Sequence, residues 1–176
     1  MTGRQFYDWQ TAGGGGDVLL LVETLEREEV SWCVIGGLAV NHWAEEPLAT
    51  ADVDLVIATD QIEKAVQALE AAGFHSKRFE WSINFTGHSD VRVQISTEPV
   101  YQSFPSKAVP ADVHGILMRV ASLEDTLQGK VLAWRDSQRR PSKRQKDLLD
   151  ITRLVEAHPD LASLLPADLA ERLRQQ

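Results

Sequence analysis

The feature that most constrains this chain is a pair of glycines between a short apolar run and a helix. Residues 32–35, with the sequence WCVI, have the pattern of a buried strand, and Gly36 and Gly37 follow it directly. Residues 38–43 then resume with helical spacing. Glycine at such a turn lets the backbone approach a ligand closely, and free N–H groups at a helix start favour phosphate. The alternative is a tight turn with no ligand.

Two aspartates begin the next apolar run. Residues 52–58, with the sequence DVDLVIA, predict a strand, and its period of two puts Asp52 and Asp54 on one face. Their Cα atoms would be about 6.5–7 Å apart. Mg²⁺ prefers a few carboxylates together with waters and substrate phosphates, and it would neutralise such a pair. We therefore predict a Mg²⁺ site at Asp52 and Asp54; the alternative is a solvated strand end.

The order of the remaining elements predicts the fold class. Strands alternate with helices early in the chain and then follow one another as hairpins, which indicates a mixed β-sheet flanked by helices, with further helices at the C-terminus. This is an α+β, or mixed α/β, fold. The predicted helices are residues 17–29, 38–43, 61–72, 122–134, 143–158 and 166–174, and the predicted strands are residues 32–35, 52–58, 74–79, 83–86, 90–96 and 116–120.

The linking segments divide the chain into three parts. Residues 1–16 form a polar N-terminal segment that ends in a run of four glycines, residues 13–16, which predicts a flexible linker. Asp17 is expected to cap the first helix. Residues 17–122 form the core, and residues 123–176 form a helical segment that packs on it. Residues 98–113 contain three prolines and predict an irregular loop.

Composition excludes several classes of protein. The net charge of −8 argues against a general nucleic-acid-binding surface, although residues 135–146 contain six Lys or Arg side chains. The lone Cys33 can form no internal disulfide, which fits a reducing cytoplasm. We expect neither a membrane span nor a secretory signal, because the apolar runs are too short.

The glycine turn and the strand sequence TADVDL together resemble the DNA polymerase beta-like nucleotidyltransferase superfamily. The resemblance is closest to its minimal and abortive-infection (AbiE-type) members, which include toxins of bacterial toxin–antitoxin systems, and it extends over residues 32–156. It implies a nucleotidyltransferase fold in which the glycine turn holds nucleotide phosphates and the aspartate pair binds Mg²⁺ ions. Gly36 and Gly37 would then bind the nucleotide, and Asp52 and Asp54 would be catalytic metal ligands.

A second part of the resemblance lies in the C-terminal helices. Lys130, and the sequence RQKDLLD at residues 144–150, look like motifs of the abortive-infection branch. In that branch a helix lysine contacts phosphates and a KDxxD helix lies beside the active site. This implies nucleotide-binding roles for Lys130, Lys146 and Asp147. The alternative is a solvent-exposed helix face that carries two i,i+4 ion pairs, Lys143–Asp147 and Lys146–Asp150.

The third carboxylate of the superfamily, on a later strand, is missing. In the strand predicted at residues 90–96, the position expected to carry it holds Gln94 or Arg92. Gln94 offers a neutral carbonyl oxygen, which is a weaker Mg²⁺ ligand, and we assign it as the third catalytic-site residue. Arg92 would pair with one of the two aspartates in place of a metal. Asp90 has the right parity but lies at the strand's start.

Two functions from different classes follow. The first is an enzyme that uses Mg²⁺ to transfer a nucleoside monophosphate from a nucleoside triphosphate to an RNA, a protein or a small molecule. The second is a binding module with a degenerate nucleotidyltransferase fold, one half of a toxin–antitoxin pair with a cognate antitoxin as partner. The missing acid predicts slow or absent transfer, whereas nucleotide binding would persist. A third alternative is a structural domain whose acids are surface charges.

Overall fold

A computed structural model describes residue 2 and residues 13–175 of the chain. Its seven strands form one mixed sheet in the order β3-β4-β5-β2-β1-β7-β6, in which β2 pairs with β5, and β1 with β7, in parallel. The strands are β1 (Trp32–Ile35), β2 (Asp52–Ile57), β3 (His75–Arg78), β4 (Ser82–Thr86), β5 (Arg92–Ser96), β6 (Val109–Val113) and β7 (Ile116–Val120). The helices are α1 (Gly15–Arg27), α2 (Gly36–Trp43), α3 (Ile62–Ala71), α4 (Leu123–Arg135), α5 (Pro141–Ala157) and α6 (Ala167–Arg174).

The main apolar core lies between one face of the sheet and the first three helices. Val53 and Leu55 of β2 point into it, together with Leu21 of α1 and Leu69 of α3. Because successive side chains on a strand point to opposite faces, Asp52 and Asp54 lie on the other face. Burying the apolar side of β2 therefore fixes the side on which its carboxylates stand.

A second apolar core forms where the C-terminal helices meet α2. Leu127 of α4, together with Ile151 and Leu154 of α5, packs against Val40 of α2 and against Ala44, which follows the end of α2. This places α4 and α5 next to the end of β1 and beside the polar face of the sheet. The predicted domain boundary between residues 122 and 123 stays a prediction.

The predicted fold class is confirmed, but the expectation for residues 98–113 was wrong at its end. β6 occupies Val109–Val113 and pairs antiparallel with β7. Pro110 argued against a strand, because proline cannot donate to a sheet ladder. β6 lies at the edge of the sheet, where one side of the strand needs no partner, so the proline is tolerated there.

The glycine run and Asp17 also differ from expectation. Helix α1 already begins at Gly15, so the linker predicted for residues 13–16 is partly helical. Asp17 lies within the first turn and caps nothing in α1. Its carboxylate instead accepts hydrogen bonds from the backbone N–H groups of His88, at 3.2 Å, and Ser89, at 2.8 Å. It ties the loop before β5 to α1. Most of the polar segment predicted for residues 1–16 lies outside the described residues.

Within the described part of the chain, no helix combines the length and the apolar character needed to cross a membrane. Cys33 is buried in the sheet, and burial raises the pKa of its thiol to about 12, with a smaller contribution from the charge of Asp125. A thiol with so high a pKa is unreactive at neutral pH.

Candidate functional site

Gly36 marks the turn from β1 into α2, and no other residue fits its conformation. Its φ of +67° lies in the left-handed region that favours glycine. A Cβ atom on Gly36 would lie 2.7 Å from Oδ2 of Asp54, which is closer than real contacts allow. On Gly37 the same atom would lie 3.5 Å from Oγ1 of Thr50, an ordinary contact. The turn therefore brings bare backbone against the Asp54 carboxylate.

The first turn of α2 presents backbone N–H groups that no side chain caps. The N-cap residue is Ile35, whose apolar side chain can accept no hydrogen bond. The first amides of a helix have no partner within it and carry partial positive charge. Ile35 and Gly36 both line the same cavity, so this helix start favours an anion there.

The parallel pairing of β2 with β5 decides what lies beside each aspartate. Asp52 is in register with Arg92, and Asp54 is in register with Gln94. Nη2 of Arg92 lies 2.8 Å from Oδ1 of Asp52, and Nζ of Lys143 on α5 lies 3.9 Å from Oδ2. A neutral amide therefore stands next to Asp54, and two cations stand next to Asp52.

Asp54 has a pKa above the ordinary value for an aspartate. Burial is the largest cause, because it penalises the charged form, and the nearby charge of Asp52 adds to it. The cations Lys130, Arg139 and Lys143 oppose the rise. Asp54 therefore lacks enough nearby positive charge, and a bound cation would supply it.

Lys130 lies buried between two carboxylates of α5. Its Nζ is 2.7 Å from Oδ2 of Asp150 and 3.2 Å from Oδ1 of Asp147. Asp147 also accepts a hydrogen bond from Nε of Arg139 at 2.6 Å, and Asp150 pairs with Arg153 at 3.0 Å. Both aspartates are 1% exposed. The network fixes the position of a lysine whose charge acts on Asp54.

The two i,i+4 ion pairs of the alternative interpretation, Lys143–Asp147 and Lys146–Asp150, are absent from the described residues. Asp147 and Asp150 turn inward to Lys130 instead. An unpaired charge buried at Lys130 would be strongly destabilising, so both carboxylates are drawn to it. Lys143 extends in another direction and reaches Asp52.

A cavity of about 160 Å³ lies between the sheet and the C-terminal helices. A second cleft of about 410 Å³ lies beside it over β4 and β5 and shares Asp54, Gln94 and Arg139 with it. Asp52, Arg92 and Lys143 line only the cleft. The cavity is lined by Ile35, Gly36, Asp54, Gln94, Ser96, Glu98, Tyr101, Asp125, Thr126, Gly129, Lys130, Ala133, Arg139 and Asp147.

The structure gathers most of the predicted site residues. The cavity brings together five of them: Gly36, Asp54, Gln94, Lys130 and Asp147. Asp52 lines the adjoining cleft. Gly37 and Lys146 line neither space; Gly37 faces Thr50 instead.

The sequence did not indicate Arg139 as a site residue. It lies between α4 and α5 and counted only as part of the basic segment. In the structure it lines both the cavity and the cleft and binds Asp147. Tyr101 was also missed, because it falls in the proline-rich stretch taken as a loop. The available clue to Arg139 was its place between the helices that carry Lys130 and Asp147.

The donor set suits one divalent cation better than two. Asp52 and Asp54 supply carboxylates, and Gln94 supplies a neutral oxygen. In the described part of the chain, no group of three or more His, Cys, Asp or Glu side chains could hold a metal. Mg²⁺ keeps waters and uses substrate phosphates as ligands, so two carboxylates are sufficient when a triphosphate is present.

The mixed sheet, the glycine turn and the aspartate pair define a nucleotidyltransferase fold, which solved nucleotidyltransferase structures share. A family model described as nucleotidyl transferase AbiEii toxin, type IV toxin–antitoxin system, matches residues 20–176. The chain belongs to this family. Enzymes with this fold generally use divalent metals. No curated protein matches the chain.

Three solved structures illustrate the shared fold. An antigenic nucleotidyltransferase-like protein from Paracoccidioides brasiliensis has 20% identity and a TM-score of 0.55, over 90% of this chain and 91% of that one. JHP933 from Helicobacter pylori has 17% identity and a TM-score of 0.56, over 89% and 69%. ANT(2″)-Ia, in complex with adenylyl-2″-tobramycin, has 13% identity and a TM-score of 0.60, over 91% and 94%. Such low identities show the fold alone.

Proposed function

We propose that this chain transfers a nucleoside monophosphate from a nucleoside triphosphate to an acceptor hydroxyl, with Mg²⁺ as its metal. The acceptor oxygen replaces pyrophosphate on the α-phosphorus, and the hydroxyl proton leaves to water. One observation carries the proposal: a bare helix start at Gly36, a partly buried carboxylate at Asp54 and a buried cation at Lys130 meet in one cavity. Phosphates need N–H groups and cations, whereas the metal needs a carboxylate. All three lie within reach of one triphosphate.

Each side chain has a definite part in this reaction. The first amides of α2 and the ammonium group of Lys130 would hold the triphosphate, and Arg139 would add charge where the cavity meets the cleft. Asp52 and Asp54 would hold Mg²⁺, which when bound offsets phosphate charge and orients the phosphorus. Gln94 can accept a hydrogen bond from the acceptor hydroxyl and orient it. It cannot take up the proton at neutral pH, so we expect slow transfer.

The cleft over β4 and β5 is the proposed acceptor site. It opens next to Asp54, and Arg92, Arg139 and Lys143 give it positive charge. That charge favours an acceptor with phosphates, such as an RNA end, over a neutral protein hydroxyl. ANT(2″)-Ia, which shares the fold, is found with an adenylylated small molecule, so a small-molecule acceptor is the second choice.

The proposal is tested by label transfer from α-³²P-labelled triphosphates, with Mg²⁺ or Mn²⁺, to total RNA, protein and small-molecule fractions. We expect Asp54→Asn to lower the rate by about two to three orders of magnitude, because a metal-bound phosphate is stabilised by several kcal/mol. Asp60→Asn, at an exposed position, is the control and should keep the wild-type rate. Equal labelling by the wild type and Asp54→Asn, or none from any triphosphate, refutes the proposal.

A second candidate function is a binding module that has lost turnover. It is favoured by the neutral Gln94 beside Asp54 and by the ion pair between Arg92 and Asp52. Calorimetry with Mg·ATP and Mg·CTP separates the two functions, because tight binding without turnover supports the module. Turnover gained on Gln94→Asp would show that only this acid was lacking.

The family supplies the biological setting that we propose. A type IV toxin–antitoxin family implies a cognate antitoxin for this chain. The lone buried Cys33 fits a protein of the reducing cytoplasm. Growth arrest on expression, relieved by the product of a neighbouring gene, would support the toxin role, and unimpaired growth would count against it.

A further inference from the structure

Each carboxylate oxygen of Asp52 faces a different cation. Arg92 approaches Oδ1 from β5 at 2.8 Å, and Lys143 approaches Oδ2 from α5 at 3.9 Å. The two cations come from separate elements, the strand β5 and the helix α5. The strand register fixes one of them, since Asp52 and Arg92 are paired residues of β2 and β5.

We propose that the guanidinium group of Arg92, supported by Lys143, takes the place and the charge of a second divalent cation. The site then binds one cation together with the triphosphate rather than two. The inference rests on the proposed nucleotidyl transfer, and it specifies the metal content of that same site.

The charges around the aspartate pair support one cation. A second divalent ion needs a third carboxylate, but Gln94 fills the register position beside Asp54 with a neutral amide. Arg92 is positively charged and lies 2.8 Å from Asp52, so it repels a metal ion there. Asp90, four residues before Gln94, precedes the start of β5 and is exposed, so it does not supply the third carboxylate beside Asp54.

The cation and the guanidinium group of Arg92 are proposed to occupy different parts of the site. Asp54 lines both the cavity and the cleft, whereas Arg92 and Lys143 line only the cleft. The single cation therefore belongs with Asp54 on the triphosphate side. The guanidinium group faces the acceptor side, where it can donate hydrogen bonds to an oxygen of the acceptor or of the transferred phosphate.

The experiment counts bound Mn²⁺ by electron paramagnetic resonance and calorimetry. The full chain is mixed with equimolar α,β-methylene analogue of ATP, CTP, GTP or UTP in turn, with analogue alone as blank. We expect one Mn²⁺ per chain and no coupling between Mn²⁺ ions. The double variant Arg92→Gln/Gln94→Asp should bind two, with the spin coupling of ions about 3.5–4 Å apart. Arg78→Gln, an exposed arginine on the edge strand β3, should behave as the wild type.

The single variant Arg92→Gln provides a second test in case the double variant does not fold. It should tighten binding of the single Mn²⁺ by about two- to fivefold, the range for one exposed charge pair. Two coupled Mn²⁺ ions in the wild type, an unchanged or weaker affinity in Arg92→Gln, or a folded double variant that binds only one ion would overturn the inference.

The failure of this inference can be told from the failure of the proposed function. A wild type that transfers nucleotides and binds two Mn²⁺ ions contradicts only the role of Arg92. A wild type that binds none of the four analogues, with or without Mn²⁺, contradicts the proposed function, and the inference falls with it.

Discussion

Gly36 and Gly37 are neighbours, but the structure makes different demands on them. Alanine at Gly36 would meet Oδ2 of Asp54 at 2.7 Å and would hold a left-handed backbone, which alone costs about 1–2 kcal/mol. We expect Gly36→Ala to lower stability by at least that amount and to weaken triphosphate binding at least tenfold, as the turn moves. Urea unfolding and calorimetry measure the two effects.

Gly37→Ala is the matched control for that prediction. Its Cβ would make only an ordinary contact with Thr50, and alanine favours helices over glycine by about 1 kcal/mol. Stability should therefore hold or rise. Triphosphate binding should change by less than about twofold, or about 0.4 kcal/mol, because alanine keeps the backbone N–H group. If both variants lose binding equally, close approach to Asp54 is not what Gly36 provides.

At the scale of single residues, part of the site could be predicted from the alternation of side chains along a strand. A period of two places Asp52 and Asp54 on one face of their strand. The same alternation limits the expected position of the third carboxylate, on the later strand, to Arg92 or Gln94. Which of the two faces Asp54 depends on the strand register, and register is set by long-range pairing of β2 with β5. Arg139 could not be predicted, because its place depends on how two helices pack.

Among the elements, α1 and the loop before β5 depend on one buried carboxylate. Burial by itself would raise the pKa of Asp17, but hydrogen bonds from the Ser89 side chain and from the backbone of Ser89 and His88 outweigh it. The net pKa is lowered. A lowered pKa in the folded state means that the carboxylate stabilises the fold above its unfolded pKa of about 3.9, and that this stability is lost as the pH falls through the folded value.

We therefore expect Asp17→Asn to destabilise the chain by about 1.5–3 kcal/mol at pH 7, the range for hydrogen bonds to a charged group. The difference from the wild type should shrink as the pH falls below about 4, because the wild type then loses the charge too. Urea unfolding from pH 7 to pH 3 measures it, with the exposed Glu23→Gln as control. A difference that does not change with pH would rule out the charge as the cause.

Elements with a strong periodic pattern could be predicted, and those defined by their neighbours could not. α3, with Gly73 at φ +104° after its end, follows from apolar spacing and a glycine stop. β6 did not, because Pro110 is acceptable only at a sheet edge and the sequence does not reveal which strand is the edge. The glycines at residues 15 and 16 are helical for a similar reason, since packing of α1 outweighs their low propensity.

At the scale of the whole molecule, Lys130 connects the sheet to the C-terminal helices. It comes from α4, pairs with Asp147 and Asp150 of α5, and acts on Asp54 of β2. We expect Lys130→Met to lower the free energy of unfolding by about 3–5 kcal/mol, because it leaves two buried carboxylates short of a cation. Urea denaturation at pH 7 is the measurement.

The matched control is Lys64→Met on α3. Lys64 is exposed and donates one hydrogen bond to the carbonyl oxygen of Glu28, so its removal should change stability by no more than about 0.5 kcal/mol. A loss below about 1 kcal/mol for Lys130→Met would mean that the two aspartates find other partners or take up protons.

Helix α2 belongs to both apolar cores. Leu38 and Ala39 pack with the sheet core, whereas Val40, and Ala44 directly after the helix, pack with the C-terminal helices. Two cores that share one rigid helix must open together, so their amide hydrogens exchange with solvent through one common unfolding event. A nucleotide bound at the first turn of α2 would suppress that event. Its occupancy could be measured as slower hydrogen exchange in α1, which packs on the other face of the sheet from Asp52 and Asp54.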